Sequence, residues 1–135
     1  MPRRLMFTAT ILALAFAALA VAVPAAQAQK AEKFLVFFEA WSAQIEPGAS
    51  DVVRAAAAYA KEHSAMRVDI IGFAANDGSK SANLYLSLLR AQLVSDMLAA
   101  TGIEPGRISR VGEGAVNYVD SPQEGRRVEI VVRAP

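Results

Sequence analysis

One stretch constrains this chain more than any other. Ile71-Gly-Phe-Ala-Ala-Asn-Asp-Gly-Ser-Lys-Ser-Ala-Asn-Leu-Tyr-Leu-Ser-Leu-Leu-Arg-Ala91 joins a strand to a helix through a loop rich in turn residues. On a helix from Ser79 to Thr101, Leu86, Leu89, Leu93, Val94 and Met97 recur at three- and four-residue spacings and predict one apolar stripe. Arg90 falls inside that stripe, four residues after Leu86 and four before Val94. Its side chain is therefore expected to leave the helix toward the sheet or the rim of the core. Removing one member of a buried ion pair costs on the order of 3–5 kcal/mol, so a guanidinium placed there needs partners. Asn83 sits two turns earlier on the same side. Asn83, Arg90 and the preceding loop converge on one pocket at the helix N-terminus, where free backbone N–H groups favour an anion. A plainer reading stays open, in which Arg90 snorkels along the helix to a surface carboxylate.

The chain has 135 residues, and its first 28 read as a secretory signal peptide. Pro2-Arg-Arg4 supplies the positive start, Leu5 to Val23 is apolar apart from Thr8 and Thr10, and Ala26-Gln-Ala28 fits a small-x-small cleavage site. The alternative is an uncleaved anchor, which would still leave the rest of the chain outside the cytoplasm. Residues 29–33 form a short polar lead-in, and residues 34–135 form one small domain with a single core.

Much of the 54% hydrophobic content belongs to the leader, so it gives no argument for a membrane protein, and no transmembrane segment is expected after signal cleavage. Setting aside Arg3 and Arg4 takes the balance from 14 basic and 13 acidic residues to 12 and 13. That near-neutral balance points away from nucleic acid as a partner. Cysteine is absent, which excludes disulfides, thiol nucleophiles and lipid attachment through a cysteine. No metal or cofactor is implied. The one histidine, His63, falls near a helix C-terminus, where a cation is ordinary. A hydrolase needs a nucleophile with a base in reach, and no such pair shows, so an enzyme is not expected.

Taken in order, Phe34-Leu-Val-Phe-Phe38 predicts a central strand covered on both faces. Pro47 followed by Gly-Ala-Ser-Asp marks a helix start, with Asp51 near its positive end. That helix runs to about His63, with Val52, Ala56, Tyr59 and Ala60 inward. Arg67 to Ile71 alternates as a second strand, and Gly102 ends the long helix as a C′ residue. Arg107 to Val111 is a third strand, Gly112 to Glu124 a loop, and Arg126 to Val132 a last strand with Val128, Ile130 and Val132 inward. The order β-α-β-α-β-β gives an α+β fold: a two-layer sandwich with both helices on one face of a mixed sheet.

Several of these pieces, in this order, resemble the OmpA-like domain, the peptidoglycan-binding module of Gram-negative envelopes. Gly72-Phe-Ala-Ala-Asn-Asp-Gly78 followed by Asn83-Leu-Tyr-Leu-Ser-Leu-Leu-Arg-Ala91 is similar to the family pattern G-[HY]-[TA]-D-x-x-G, then N-x-x-L-S-x-x-R-A. Phe34 to Phe38, Trp41 to Pro47 and Arg126 to Ile130 resemble its first strand, first helix entry and last strand. The match covers Phe34 to Arg133.

The resemblance implies that Arg90 binds the carboxylate of a diaminopimelate residue in the peptidoglycan stem peptide. The family's loop Asp, which binds the ammonium of that residue, is replaced here by Ala75. A hydrogen bond to a charged group contributes roughly 1.5–3 kcal/mol, so weaker binding than in a complete site is expected. Asp77 is the candidate substitute, with a turn role in Asn76-Asp-Gly78 as its competitor. Trp41 stands where the family commonly has a polar residue near the pocket mouth. It is either plain core or an apolar wall against a stem peptide or sugar face. Arg126 and Arg127 match the family's closing pair, one of them expected to face outward and pair across strands with an acid. The implied ligand-binding set is Arg90, Asn83, Asp77, Ala75, Trp41 and Arg126. The implied location is the periplasm, associated with the cell wall or outer membrane. The alternative is a degenerate OmpA-like domain that serves as an interaction or structural module for another envelope protein.

Overall fold

A computed structural model describes residues 30–117 and 120–135. The leader expected at residues 1–28 lies outside them. The elements run β1 (Glu32–Phe37), α1 (Pro47–Glu62), β2 (Arg67–Ala75), α2 (Lys80–Ala100), β3 (Ile108–Val116) and β4 (Arg127–Arg133), with short 3-10 turns at Pro105–Arg107 and Pro122–Gly125. The four strands form one mixed sheet in the order β1-β4-β2-β3. β4 is antiparallel to both β1 and β2, while β2 and β3 are parallel and are joined across α2. This is the expected α+β sandwich, two helices packed on a four-stranded mixed sheet.

Alternation along the strands builds the core. Val36, Val68, Ile70, Val128, Ile130 and Val132 meet Val53, Ala56, Ala60, Val94 and Leu98 from the helices. The inward trio of β4 is as the period-two pattern requires. β1 differs from expectation: it is an edge strand, and its outer side leaves Leu35 and Phe37 40% and 38% exposed. A short apolar run is compatible with either position, and only the strand order decides.

α1 begins at Pro47 as expected, but its buried face is Ala49, Val53, Ala56, Ala57 and Ala60, about one residue round from the predicted one. Val52 and Tyr59 are only partly buried against the core. Asp51 lies past the first turn and pairs with Arg54. At the far end, His63 Nδ1 lies 2.8 Å from the Tyr59 carbonyl and the two rings stack at 4.0 Å, a structural role for the histidine.

α2 departs more from its predicted stripe. Its buried residues are Asn83, Ser87, Arg90, Ala91, Val94, Ser95 and Leu98, whereas Leu89 is 41% exposed. Two glycines explain the rotation. Gly72 and Gly112 are partners in the β2–β3 register, and a Cβ on either would collide with the helix, 2.0 Å from the Ser87 carbonyl oxygen and 2.7 Å from Ser87 Oγ. α2 therefore lies deep on a glycine pair and turns its small side chains toward the sheet, sending the leucines to the flanks and outward. Ser79 caps the helix, accepting from the Ala82 N–H at 3.1 Å. Gly102, at φ +101, ends it.

β2 and β3 both run further than predicted, to Ala75 and Val116. The loop expected from Gly112 therefore begins only after Val116. Arg126 falls just ahead of β4.

Candidate functional site

Arg90 is fully buried, 0% exposed, and its three nitrogens are each aimed at a backbone carbonyl. Nε donates to Ser42 (2.8 Å), Nη1 to Phe73 (3.1 Å) and Nη2 to Glu39 (3.0 Å). The guanidinium also lies 5.1 Å from the centre of the Phe38 ring. Carbonyls satisfy N–H geometry but carry no net charge, and among the described residues no carboxylate forms an ion pair with Arg90. Two of the five N–H donors remain after these three bonds. The snorkelling reading is thereby replaced: the side chain turns inward, and its charge is not neutralised.

The surroundings raise the cost of that charge. Burial, followed by the nearby Arg126 charge, pushes the Arg90 pKa down to about 10, with Asp77 acting in the opposite sense. Arg126 is held beside it by a reciprocal link, its Nε donating to the Phe38 carbonyl at 3.0 Å while the Phe38 N–H donates to the Arg126 carbonyl at 2.9 Å. Two cations thus flank one narrow cleft.

The cleft gathers all six residues singled out from the sequence: Trp41, Ala75, Asp77, Asn83, Arg90 and Arg126, joined by Ala40 and Leu86. Asn83 is 1% exposed. Ala75 closes the end of β2, and Gly125 approaches so closely that a Cβ there would stand 2.7 Å from the Ala75 Cα. Asp77 is exposed at the rim. The turn bond in this loop is made by backbone, from the Asp77 N–H to the Ala75 carbonyl at 2.9 Å, while the Asn76 side chain reaches Asn117 at 3.2 Å.

Trp41 is not core. It is 55% exposed, has a left-handed backbone at φ 53, and lays its ring across Gly78, where a Cβ would come within 2.4 Å of the indole. The ring narrows the cleft to about 10 Å³, scarcely the room of one water. In this arrangement the ring leaves no room for a group larger than a water.

The carbonyls of Glu39, Ser42 and Phe73 are the parts that sequence reasoning missed. Backbone acceptors leave no trace in side-chain identity. The nearest signal was the glycine pair under Ser87, which fixes how deep α2 sits and so where Arg90 emerges. Arg127, the other member of the closing pair, leaves the cleft: its guanidinium lies 4.1 Å from the centre of the Phe73 ring and pairs with Glu129 on its own strand at 3.1 Å, rather than across strands. Among the described residues no group of three or more side chains could hold a metal ion, and no helix is long and apolar enough to cross a membrane.

The OmpA family model matches residues 37–130. The peptidoglycan-binding protein ArfA of Mycobacterium tuberculosis (strain ATCC 25618 / H37Rv) is 44% identical over 72 residues, 49% of this chain and 22% of that protein. The probable lipoprotein YiaD of Escherichia coli (strain K12) is 32% identical over 103 residues, 72% of this chain and 47% of that protein. The chain thus spans less than half the length of either curated relative. Among solved structures, the peptidoglycan-associated lipoprotein from Burkholderia pseudomallei superposes with a TM-score of 0.68 at 23% identity, over 74% of this chain and 90% of that one. The OmpA-like domain of FopA1 from Francisella tularensis subsp. tularensis SCHU S4 gives 0.70 at 22%, over 78% and 73%. At those identities the structural likeness establishes the fold alone.

Proposed function

The chain belongs to the OmpA family, and from that premise we propose that it is a periplasmic binding module, not a catalyst, that holds peptidoglycan non-covalently through the diaminopimelate residue of the stem peptide. The observation that carries this reading is the buried Arg90 guanidinium, held by three neutral carbonyls and facing Arg126 with no acid of its own. A planar carboxylate would accept the two remaining N–H donors and supply the missing charge. Asn83 offers both a donor and an acceptor on the same wall.

The ammonium end of the ligand would fall to Asp77. Its side chain makes no hydrogen bond among the described residues, and its charge already acts on Arg90. Being at the exposed rim, it would grip less firmly than a carboxylate at the position of Ala75, which supports weak binding. Trp41 would fold against the ligand's apolar arm after swinging off Gly78. The leader would deliver the module to the periplasm, beside the wall or the outer membrane.

Sedimentation with purified diaminopimelate-type sacculi tests the proposal. The wild type is expected to pellet with them and Arg90→Ala to stay in solution. If the two pellet equally, or neither pellets, the reading fails.

A further inference from the structure

The segment that closes the cleft is built against local rules. Glu39, Ala40, Trp41 and Ser42 form a β-turn, closed by the Ser42 N–H donating to the Glu39 carbonyl at 3.2 Å. Its third residue has φ 53, a place that suits Gly or Asn, yet the chain sets its single tryptophan there. A positive φ strains a bulky side chain, and such strain persists only where the surroundings hold it. Burial does not offset the strain, because the ring stays 55% exposed. Its seat is Gly78, itself at φ +90, whose missing Cβ makes room for the indole.

The turn is fastened by Arg90. Two of the three guanidinium bonds go to its two ends, Nη2 to the Glu39 carbonyl and Nε to the Ser42 carbonyl, while Nη1 ties the group to Phe73 in β2. The cation at the base of the cleft therefore also holds down the segment that roofs it. We infer that the Glu39–Ser42 turn is a lid over the cleft, with Trp41 as its moving part and Arg90 as its latch. Opening gives up the contact with Gly78 but lets Trp41 leave the left-handed region, so the two positions lie close in free energy, as a two-state element requires. An anion drawing on the guanidinium acts on both ends of the turn at once, and by reciprocity the state of the turn acts on the anion. The lid rests on the reading of the cleft given above for its ligand, whereas the turn, its strain and its latch stand without it.

Trp41 is the one tryptophan of the chain, so its fluorescence reports the lid. In the chain as purified after export and without ligand, Arg90→Met should raise acrylamide quenching of Trp41 by up to about twofold, as a ring 55% exposed becomes fully exposed, with an unchanged circular dichroism spectrum. Should that variant unfold, Gly78→Ala, which puts a methyl 2.4 Å from the indole, carries the same expectation. Stopped flow with a fluorophore-labelled stem tripeptide ending in meso-diaminopimelate reads the second arm. Trp41→Gly removes the ring and suits φ 53, and it should raise both the association and the dissociation rate by about tenfold or more. A tryptophan that served only as a wall against the ligand would change dissociation alone. Quenching that neither Arg90→Met nor Gly78→Ala alters, or an association rate that Trp41→Gly leaves within about twofold of wild type, would overturn the lid. Failure of both wild type and Trp41→Gly to bind the tripeptide would overturn the ligand reading of the cleft instead, and the quenching result would then decide the lid by itself.

Discussion

Two arginines in this molecule are held in nearly the same way and do different things. Arg107 donates from Nε to the Met66 carbonyl at 3.0 Å, and from Nη2 to the carbonyls of Ala60 and His63 at 2.8 and 3.0 Å. Arg90 likewise spends three bonds on three carbonyls. Yet Arg107 is half-buried and sits at the C-terminal end of α1, where unpaired carbonyls and the helix dipole already offer negative character to a cation. Arg90 has no helix end to answer it, is fully buried, and faces a second guanidinium across a cleft. Three carbonyl bonds are therefore no mark of a binding site. What separates the two is the charge left over once geometry is satisfied.

The largest expected effect tests that separation directly, by exchanging each guanidinium for a side chain of similar length. Arg90→Met should lower the affinity for meso-diaminopimelate by about a hundredfold or more, since two bonds to a charged group are lost at roughly 1.5–3 kcal/mol each. Arg107→Met should leave that affinity within about twofold and instead cost about 1–3 kcal/mol of unfolding free energy, because the carbonyls at the end of α1 lose their donor. Calorimetric titration and urea unfolding of both variants read the two outcomes. Equal losses of affinity would mean that the distinction drawn from charge is wrong. Arg90's own charge is a burden to folding at ordinary pH: its folded pKa is depressed to about 10, so the cost is present at every lower pH and is relieved only as pH rises through that value. A bound anion would offset that cost without any change of pH.

Ala75→Asp sharpens the comparison from the other side by giving Arg90 the acid it lacks. The new carboxylate would stand at the end of β2 on the wall of the cleft, close to both cations. Affinity for the zwitterion should rise by about tenfold, one added bond to a charged group. A simple monocarboxylate such as acetate should gain nothing or lose, since the acid then competes for the same guanidinium. Titration with both ligands separates the outcomes, and a gain for acetate would count against the assignment of that wall to an ammonium.

How much of this could be read from residues alone follows the range of the interactions involved. Local periodicity sufficed for the element order, for Val128, Ile130 and Val132 on β4, for the Pro47 start and for the Gly102 stop, because each depends on its near neighbours. The inward course of Arg90 followed from its spacing, and Trp41, Asp77, Asn83 and Arg126 were brought together as the family resemblance implied. Long-range features stayed hidden. β1 reads as a central strand until β4 is seen to lie between it and β2. Leu89 reads as core until Gly72 and Gly112 are seen to draw the small face of α2 against the sheet. The three carbonyls that hold Arg90 come from segments 17 to 51 residues away, and no pattern in their side chains announces them.

The smallest effect concerns an arginine that does have an acid. On the sheet face away from the helices, Arg133 Nε donates to Asp69, whose other oxygen accepts from Ser109 Oγ at 2.6 Å. Burial works to raise the pKa of Asp69, but the hydrogen bonds from Ser109 and Arg133 and the charges of Arg133 and Arg67 outweigh it, so the carboxyl titrates below its usual 3.8. A depressed carboxylate adds stability above its unfolded pKa and loses it as pH falls through the folded one. With Arg133 44% exposed, solvent screening keeps the gain to about 1 kcal/mol or less. Thermal unfolding followed from pH 6 downward should therefore show a modest loss below the ordinary aspartate range, and Asp69→Asn should flatten that part of the curve. The Arg90→Met variant should keep it nearly unchanged, since no carboxylate forms an ion pair with Arg90 and only the exposed Asp77 acts on it from a distance. If Arg90→Met flattened the acid limb instead, the buried guanidinium would have an internal counter-charge after all, and the contrast with Arg107 would lose its basis.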